Sequence, residues 1–319
     1  MIDRDVHLLK ELGWEAFVQS RRGVGDLTEM TGLRHPARRL LRQYRFAGVP
    51  VKLTEGSWGG DKIREALQRG PHPSALLHSN FLMKEFISMI GLDQWVILPY
   101  SVAKYLDNLH ISPPGVIPQR DRRPRWICDY TWSGVGPSSL PLVPTEAMQY
   151  GRAFERILRQ ILLADPRFGP VYLSKCDIAD GYYRLGLNVK DIPKLAVAFP
   201  SPNKTNPLVA IPLVLPMGWK NSGVAFCAAS ETIADVSNAA IASNKPQLQH
   251  HLDARAAAMD YNSIPNPSLS KHYQLSPGHP QRNPLLKRPS PKRLAAIDVF
   301  VDDFIALAQG CPKQLSRVR

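Results

Sequence analysis

Disulfide chemistry and zinc are the first things this sequence leaves out. Its four cysteines, Cys128, Cys176, Cys227 and Cys311, stand far apart, with no CxxC pair and no Cys/His metal spacing. Neither a disulfide framework nor a zinc site is expected, and reduced thiols in an intracellular compartment are the simple reading. Met1-Ile2-Asp3-Arg4-Asp5 has neither the basic start nor the apolar run of a signal peptide. The most apolar stretch, residues 208–219, is broken by Pro212 and Pro216 and is too short to span a bilayer. The expectation is an intracellular chain, cytoplasmic or nuclear, with no membrane partner. No internal repeat is present. Acidic residues are also scarce: 27 Asp and Glu stand against 40 Lys and Arg, a net charge of +13. That balance favours a polyanionic partner, most simply nucleic acid, and says nothing about fold. With 319 residues, 44% of them hydrophobic, the chain can build a real core, as one large or two ordinary domains.

Residues 1–48 read as short helices rich in arginine, with Arg34, Arg38, Arg39, Arg42 and Arg45 on one basic or simply solvated face. Residues 48–53 read as a short strand, residues 54–72 as a loop and a short helix over 62–69. Leu76, Leu77, Phe81, Leu82, Phe86 and Ile90 have helical spacing and are expected in the core. Residues 94–100 read as a strand ended by proline. Pro113, Pro114 and Pro118 mark a loop into Arg120-Asp121-Arg122-Arg123-Pro124-Arg125, a basic strand pair suited to phosphate groups or a solvated turn. Residues 145–164 form the most amphipathic helix, with Met148, Phe154, Ile157, Leu158 and Ile161 on the apolar side and Arg152, Arg156 and Arg159 opposite. An apolar strand follows, ending in Asp177. Residues 208–215 read as another strand, and a glycine-hinged turn then opens a helix that Asn221 or Ser222 can cap. Residues 243–293, proline-rich, basic and polar, read as a flexible insertion without metal-ligand spacing among their histidines.

The chemistry is organised around Ile297-Asp298-Val299-Phe300-Val301-Asp302-Asp303-Phe304-Ile305-Ala306-Leu307. One reading is a strand, a turn carrying Asp302 and Asp303, and a second strand. The other is a helix with Leu294, Ile297, Val301, Ile305 and Ala308 as its apolar stripe. Adjacent carboxylates repel unless one is protonated or a cation lies between them. Hard cations such as Mg²⁺ take oxygen ligands, so the hairpin reading suggests a metal site. It calls for a third carboxylate at a strand end, and Asp177 has that place.

These stretches, in order, resemble the palm of reverse transcriptases from long-terminal-repeat retroelements and retroviruses. Asp177-Ile178-Ala179-Asp180-Gly181-Tyr182 is similar to the first catalytic motif. Leu215-Pro216-Met217-Gly218-Trp219-Lys220-Asn221-Ser222 is similar to the second, and Phe300-Val301-Asp302-Asp303 to the third. Arg125-Trp126-Ile127-Cys128-Asp129-Tyr130 looks like a fingers strand. The resemblance covers residues 95–235 and 295–310.

It implies an α/β fold of polymerase fingers and palm, the palm sheet having ferredoxin-like β-α-β elements. Residues 1–72 would be a basic helical extension of unclear role, 73–168 fingers-like, and 169–319 a palm. It further implies template-directed DNA synthesis from dNTPs, with a primed RNA or DNA template and two Mg²⁺ ions, or Mn²⁺ in their place. Asp177 and Asp302 would bridge the ions, Asp303 would support them, and the Ile178 carbonyl could add a ligand. Arg125 and the amides of Asp180 and Gly181 would meet the triphosphate. Tyr182 would lie under the sugar and exclude a 2′-hydroxyl. Met217 would pack beside the nucleotide, and Gly218 would let the backbone approach it.

There are departures. Phe300 replaces a frequent tyrosine, Met217 a glutamine of retroviral members, and Gly223 a frequent proline. Residues 304–319 are too few for a helical thumb. The resemblance therefore carries an alternative, a truncated or decayed fragment that binds nucleic acid without polymerising. A palm-type cyclase is a further rival, against which the Leu-Pro-x-Gly turn and Tyr182 speak.

Overall fold

Strand pairing decides the ambiguous segment: residues 295–300 and 303–309 form antiparallel strands, and the helical reading does not hold. The computed structural model describes residues 1–22, 32–142, 150–201, 205–243 and 292–309. Among these, the protein is mixed α/β, with helices and three small sheets. Residues 244–291 of the expected insertion lie outside the described residues.

The helices are α1 (Ile2–Arg22), α2 (Arg38–Ala47), α3 (Gly60–Arg69), α4 (Pro73–Leu77), α5 (Ser79–Gly91), α6 (Tyr100–Ala103), α7 (Val135–Ser138), α8 (Ala153–Leu163) and α9 (Lys220–Ala242). The strands are β1 (Trp95–Pro99), β2 (Ile111–Ser112), β3 (Pro114–Gln119), β4 (Arg122–Cys128), β5 (Val171–Asp177), β6 (Ala196–Ala198), β7 (Leu208–Pro212), β8 (Ala295–Phe300) and β9 (Asp303–Gln309). Two compact units divide the chain: Met1–Met148 with Ala179–Ala229, and Gln149–Ile178 with Ser230–Arg319. They are drawn differently from the segments 1–72, 73–168 and 169–319.

In the first unit a sheet of order β1-β7-β6-β2 is antiparallel except for the parallel pair β2–β6. Apolar strand residues buried on both faces fill its centre, among them Val96, Leu98, Val197, Val209 and Ile211. Phe86 of α5 joins the sheet to the β3–β4 hairpin: its ring lies 5.3 Å from Trp95, 5.2 Å from Trp126 and 5.1 Å from Phe199. Residues 1–22 are part of this core. Leu9, Phe17 and Val18 are buried, and Trp14 Nε1 donates to the Val189 carbonyl at 2.9 Å. The buried Arg21 lies between Asp5 (3.4 Å) and Asp93 (3.0 Å). Burial lowers the Arg22 guanidinium to about 10.

Several expectations change here. Residues 48–53 form only isolated bridges, Val49 with Leu187 and Leu53 with Ser139. Leu76 and Leu77 are exposed, because α4 ends at Leu77 and α5 starts a new helical phase at Ser79. The prolines at 114 and 118 lie in a strand rather than a loop. β3 is an edge strand of a two-stranded hairpin, and Pro118 falls at the register shift between Ile117 and Gln119, positions that tolerate a missing amide.

The second unit holds the antiparallel sheet β5-β9-β8, with α8 packed on β8. The expected apolar side of α8 is rotated. Ala153 and Ile157 are buried, whereas Phe154 and Leu158 are exposed; Met148 lies outside the described residues. The cause is electrostatic. Asp298 is buried on β8, and a buried carboxylate needs a paired cation. Arg156 turns toward it and binds it in a fork, Nε at 2.8 Å and Nη2 at 2.6 Å. That pairing raises the Arg156 pKa. Asn238 of α9 meets the outer edge of β8 like a strand partner, donating to the Ile297 carbonyl at 2.7 Å and accepting its amide at 2.8 Å. Edges left open invite association. Arg156→Met is expected to cost about 2 kcal/mol in urea unfolding. This is below the ~3–5 kcal/mol for breaking a fully buried pair because Arg156 keeps partial access to water. Asp298→Asn in the same chain should recover part of the loss.

Candidate functional site

Strand alternation and a two-residue turn build the acidic cluster. Asp177 is the last residue of β5 and lies directly opposite Asp303, the first residue of β9. Phe300 and Asp303 close the β8–β9 hairpin, so the turn is Val301-Asp302 and Asp303 belongs to the strand, not to the turn as expected. The Ile178 amide donates to the Asp302 carbonyl at 3.1 Å and fastens the end of β5 to this turn. One oxygen from each of Asp177, Asp302 and Asp303 lies within 4.8 Å of the others. Asp177 is exposed; Ile178, Asp302 and Asp303 are half-buried.

The turn is strained. Val301 has φ +59°, a region where tight two-residue hairpins place glycine and where a β-branched residue is an outlier. Val301→Gly is expected to stabilise the chain by about 1 kcal/mol, read as a shift in the urea midpoint. An unchanged or lower midpoint would show that the valine side chain holds the turn by packing.

Lys175, which sequence reasoning passed over, belongs to this cluster. Residues two apart on a strand share a face, and Lys175 Nζ lies 2.8 Å from Asp303 Oδ1. The Asp303 carboxylate, assisted by Asp177 and Asp302, raises the ammonium's pKa. The readable signal was Lys-x-Asp on a strand.

Arg125, Asp180, Gly181, Tyr182, Met217 and Gly218 belong to the first unit. Arg125 is exposed on β4, and Met217 is half-buried. Gly218 has φ +96°, and a Cβ there would lie 2.4 Å from the Cys128 carbonyl oxygen. Its glycine is thus required by the close approach of the Leu-Pro-Met-Gly turn to β4, the strand that carries Arg125. The turn is braced by Trp219 Nε1 donating to Ser139 Oγ at 2.9 Å. Asn221 Nδ2 donates to the Leu140 carbonyl at 2.8 Å and Ser222 Oγ to the Pro216 carbonyl at 2.7 Å. Neither is the expected helix cap: α9 already starts at Lys220, and both side chains donate to carbonyls.

Asp180 takes the left-handed conformation, φ +56°, at the turn into Gly181-Tyr182. Tyr182 packs edge-on against Phe226, ring centroids 5.6 Å apart. A Cβ at Gly181 would come within 2.8 Å of the Phe226 ring, and one at Gly223 within 3.3 Å of the Tyr182 hydroxyl. Glycine at 223 therefore makes room for that hydroxyl. Phe226 was not expected at the site from the sequence; its spacing along α9 resembles ordinary core.

The described Cys128, Cys176 and Cys227 are thiols, not disulfides. Burial pushes the Cys128 thiol far up, away from nucleophilic use. Among the described residues no helix is long and apolar enough to cross a membrane. No protein-family model matches the chain, and a comparison with curated proteins finds no match.

Proposed function

We propose that the chain carries a nucleotidyl-transfer site of the reverse-transcriptase type, adding deoxynucleotides to a primer on an RNA or DNA template. The observation that supports it is the meeting of Asp177, from the end of one strand, with Asp302 and Asp303, from a hairpin distant in sequence. In this reading the β5-β9-β8 sheet belongs to the palm, and the β3–β4 hairpin belongs to the fingers.

The donor set fits Mg²⁺ or Mn²⁺: three carboxylates, oxygen only, reachable from solvent. Ions held there would act as Lewis acids at the phosphoryl oxygens and lower the pKa of the attacking hydroxyl. Asp177, Asp302 and Asp303 would hold the ions, and the Ile178 carbonyl could add a further oxygen ligand. The primer 3′-hydroxyl attacks the α-phosphorus and gives its proton to solvent water, and the bond from the α-phosphorus to pyrophosphate breaks. By the resemblance Arg125 would be the residue that meets the triphosphate, and its exposed guanidinium is a group suited to paired phosphate oxygens. By the resemblance Tyr182 would be the residue that excludes a 2′-hydroxyl; within its own unit its ring packs against Phe226.

The test is extension of a primed RNA template by one nucleotide, with dNTP or rNTP, in Mg²⁺ or EDTA. Wild type is expected to add the deoxynucleotide only with Mg²⁺. Tyr182→Ala is expected to raise ribonucleotide use by about 10²-fold relative to deoxynucleotide, roughly the discrimination that a few kcal/mol of steric exclusion provides. Unchanged sugar selectivity would remove Tyr182 from this role. Salt-sensitive nucleic-acid binding without any extension would favour the non-polymerising reading.

A further inference from the structure

Three carboxylates within 4.8 Å of one another leave a local excess of negative charge. The side chain that answers it is Lys175, two residues before Asp177 on β5. Asp177 stands opposite Asp303 in the β5–β9 ladder, and Lys175 opposite Ile305. Lys175 and Asp303 are therefore diagonal neighbours on one face, within reach of a long side chain. The ammonium takes Asp303 Oδ1 at 2.8 Å, while its side chain remains 61% exposed.

We propose that Lys175 is a tethered counter-ion of the triad, holding Asp303 when no divalent ion is bound and competing with such an ion for the site. This inference rests on the metal-binding reading above. Lysine carries three donors and no acceptor, so it can satisfy a carboxylate but cannot help to ligate a cation. A divalent ion drawing on Asp303 must repel the ammonium at this range and compete with it for the negative charge of the carboxylate. The exchange is easy. An exposed ion pair adds little to stability, and a lysine on a flexible stem at the surface can swing into water. Lys175 thus relieves the repulsion within the triad and sets a threshold for its occupation, so that the site loads only when the divalent ion is concentrated enough to expel it.

The test is Mn²⁺ binding, followed by electron paramagnetic resonance of the free ion, with the full chain and its Lys175→Gln, Lys175→Arg and Asp302→Asn variants. Removing one screened unit charge beside a divalent ion in water should tighten binding by about fivefold at 0.1 M salt. Lys175→Gln is expected to show that gain, and Lys175→Arg to stay near wild type. The gain should shrink at 1 M salt, where the Debye length is about 3 Å. Mn²⁺ held by Lys175→Gln but not measurably by wild type would also support the inference. Equal or weaker binding by Lys175→Gln, with Asp302→Asn weaker than wild type, would overturn the role of Lys175 and leave the metal site standing. Binding indifferent to Asp302→Asn, or absent from every variant, would overturn both. Thermal melts of each variant check that the fold is kept.

Discussion

Asp302→Asn is expected to lower single-nucleotide incorporation by about 10³-fold or more, since on the proposed function several kcal/mol of transition-state charge stabilisation would depend on ions held by this carboxylate. The asparagine has nearly the same shape, so folding should be unaffected. Asp302 is half-buried in the hairpin turn, and the bond that ties the turn to β5 uses its backbone carbonyl, which the substitution keeps. Asp177→Asn should behave alike. Asp303→Asn should also release Lys175, its ion-pair partner at 2.8 Å. The measurement is the rate of primer extension by one nucleotide with enzyme in excess. A loss of less than tenfold for Asp302→Asn, in a folded variant, would mean that the acidic cluster is not where the chemistry occurs.

Gly218→Ala is expected to cost about 4 kcal/mol or to prevent folding. Two penalties add. The backbone at φ +96° is strained for any residue with a side chain, and the new Cβ would stand 2.4 Å from the Cys128 carbonyl oxygen. Strain of this kind costs ~1–3 kcal/mol and forced overpacking ~1–3 kcal/mol. Backbone is the obstacle, so no side-chain rotation relieves it. Gly91→Ala, near the end of α5 with nothing within 4 Å of its added Cβ, is the control and should change stability little. Urea unfolding of both variants measures the difference. Equal midpoints would show that the Leu-Pro-Met-Gly turn does not depend on its contact with β4.

The acidic cluster was legible because its signals are local. A carboxylate at the end of an apolar strand, and two more between two apolar runs, can be read one residue at a time. The strand alternation of residues 295–309 was weaker, since Ile297, Val301 and Ile305 also fit a helix; pairing with β5 decides it. The side of α8 was not legible. Its apolar residues predict one face, but the buried Asp298 lies more than a hundred positions away in sequence, and its need for Arg156 outweighs exposing Phe154. The burial of α1 was hidden for the same reason. Arg21 reads as one more basic surface residue until Asp5 and Asp93 are brought beside it. Lys175 was missed because composition counts it among forty cations, whereas only the register of β5 against β9 singles it out.

In the function proposed above, the cluster at the end of β5 and the β8–β9 turn joins a nucleotide to a primer. The most direct measurement is the mass of a primer incubated with the purified chain, a complementary RNA template, one dNTP and Mg²⁺, together with the pyrophosphate released. The expected result is a primer heavier by one deoxynucleotide, one pyrophosphate for each addition, and neither product with Asp302→Asn. A primer of unchanged mass, from a chain shown to bind both the template and Mn²⁺, would contradict it.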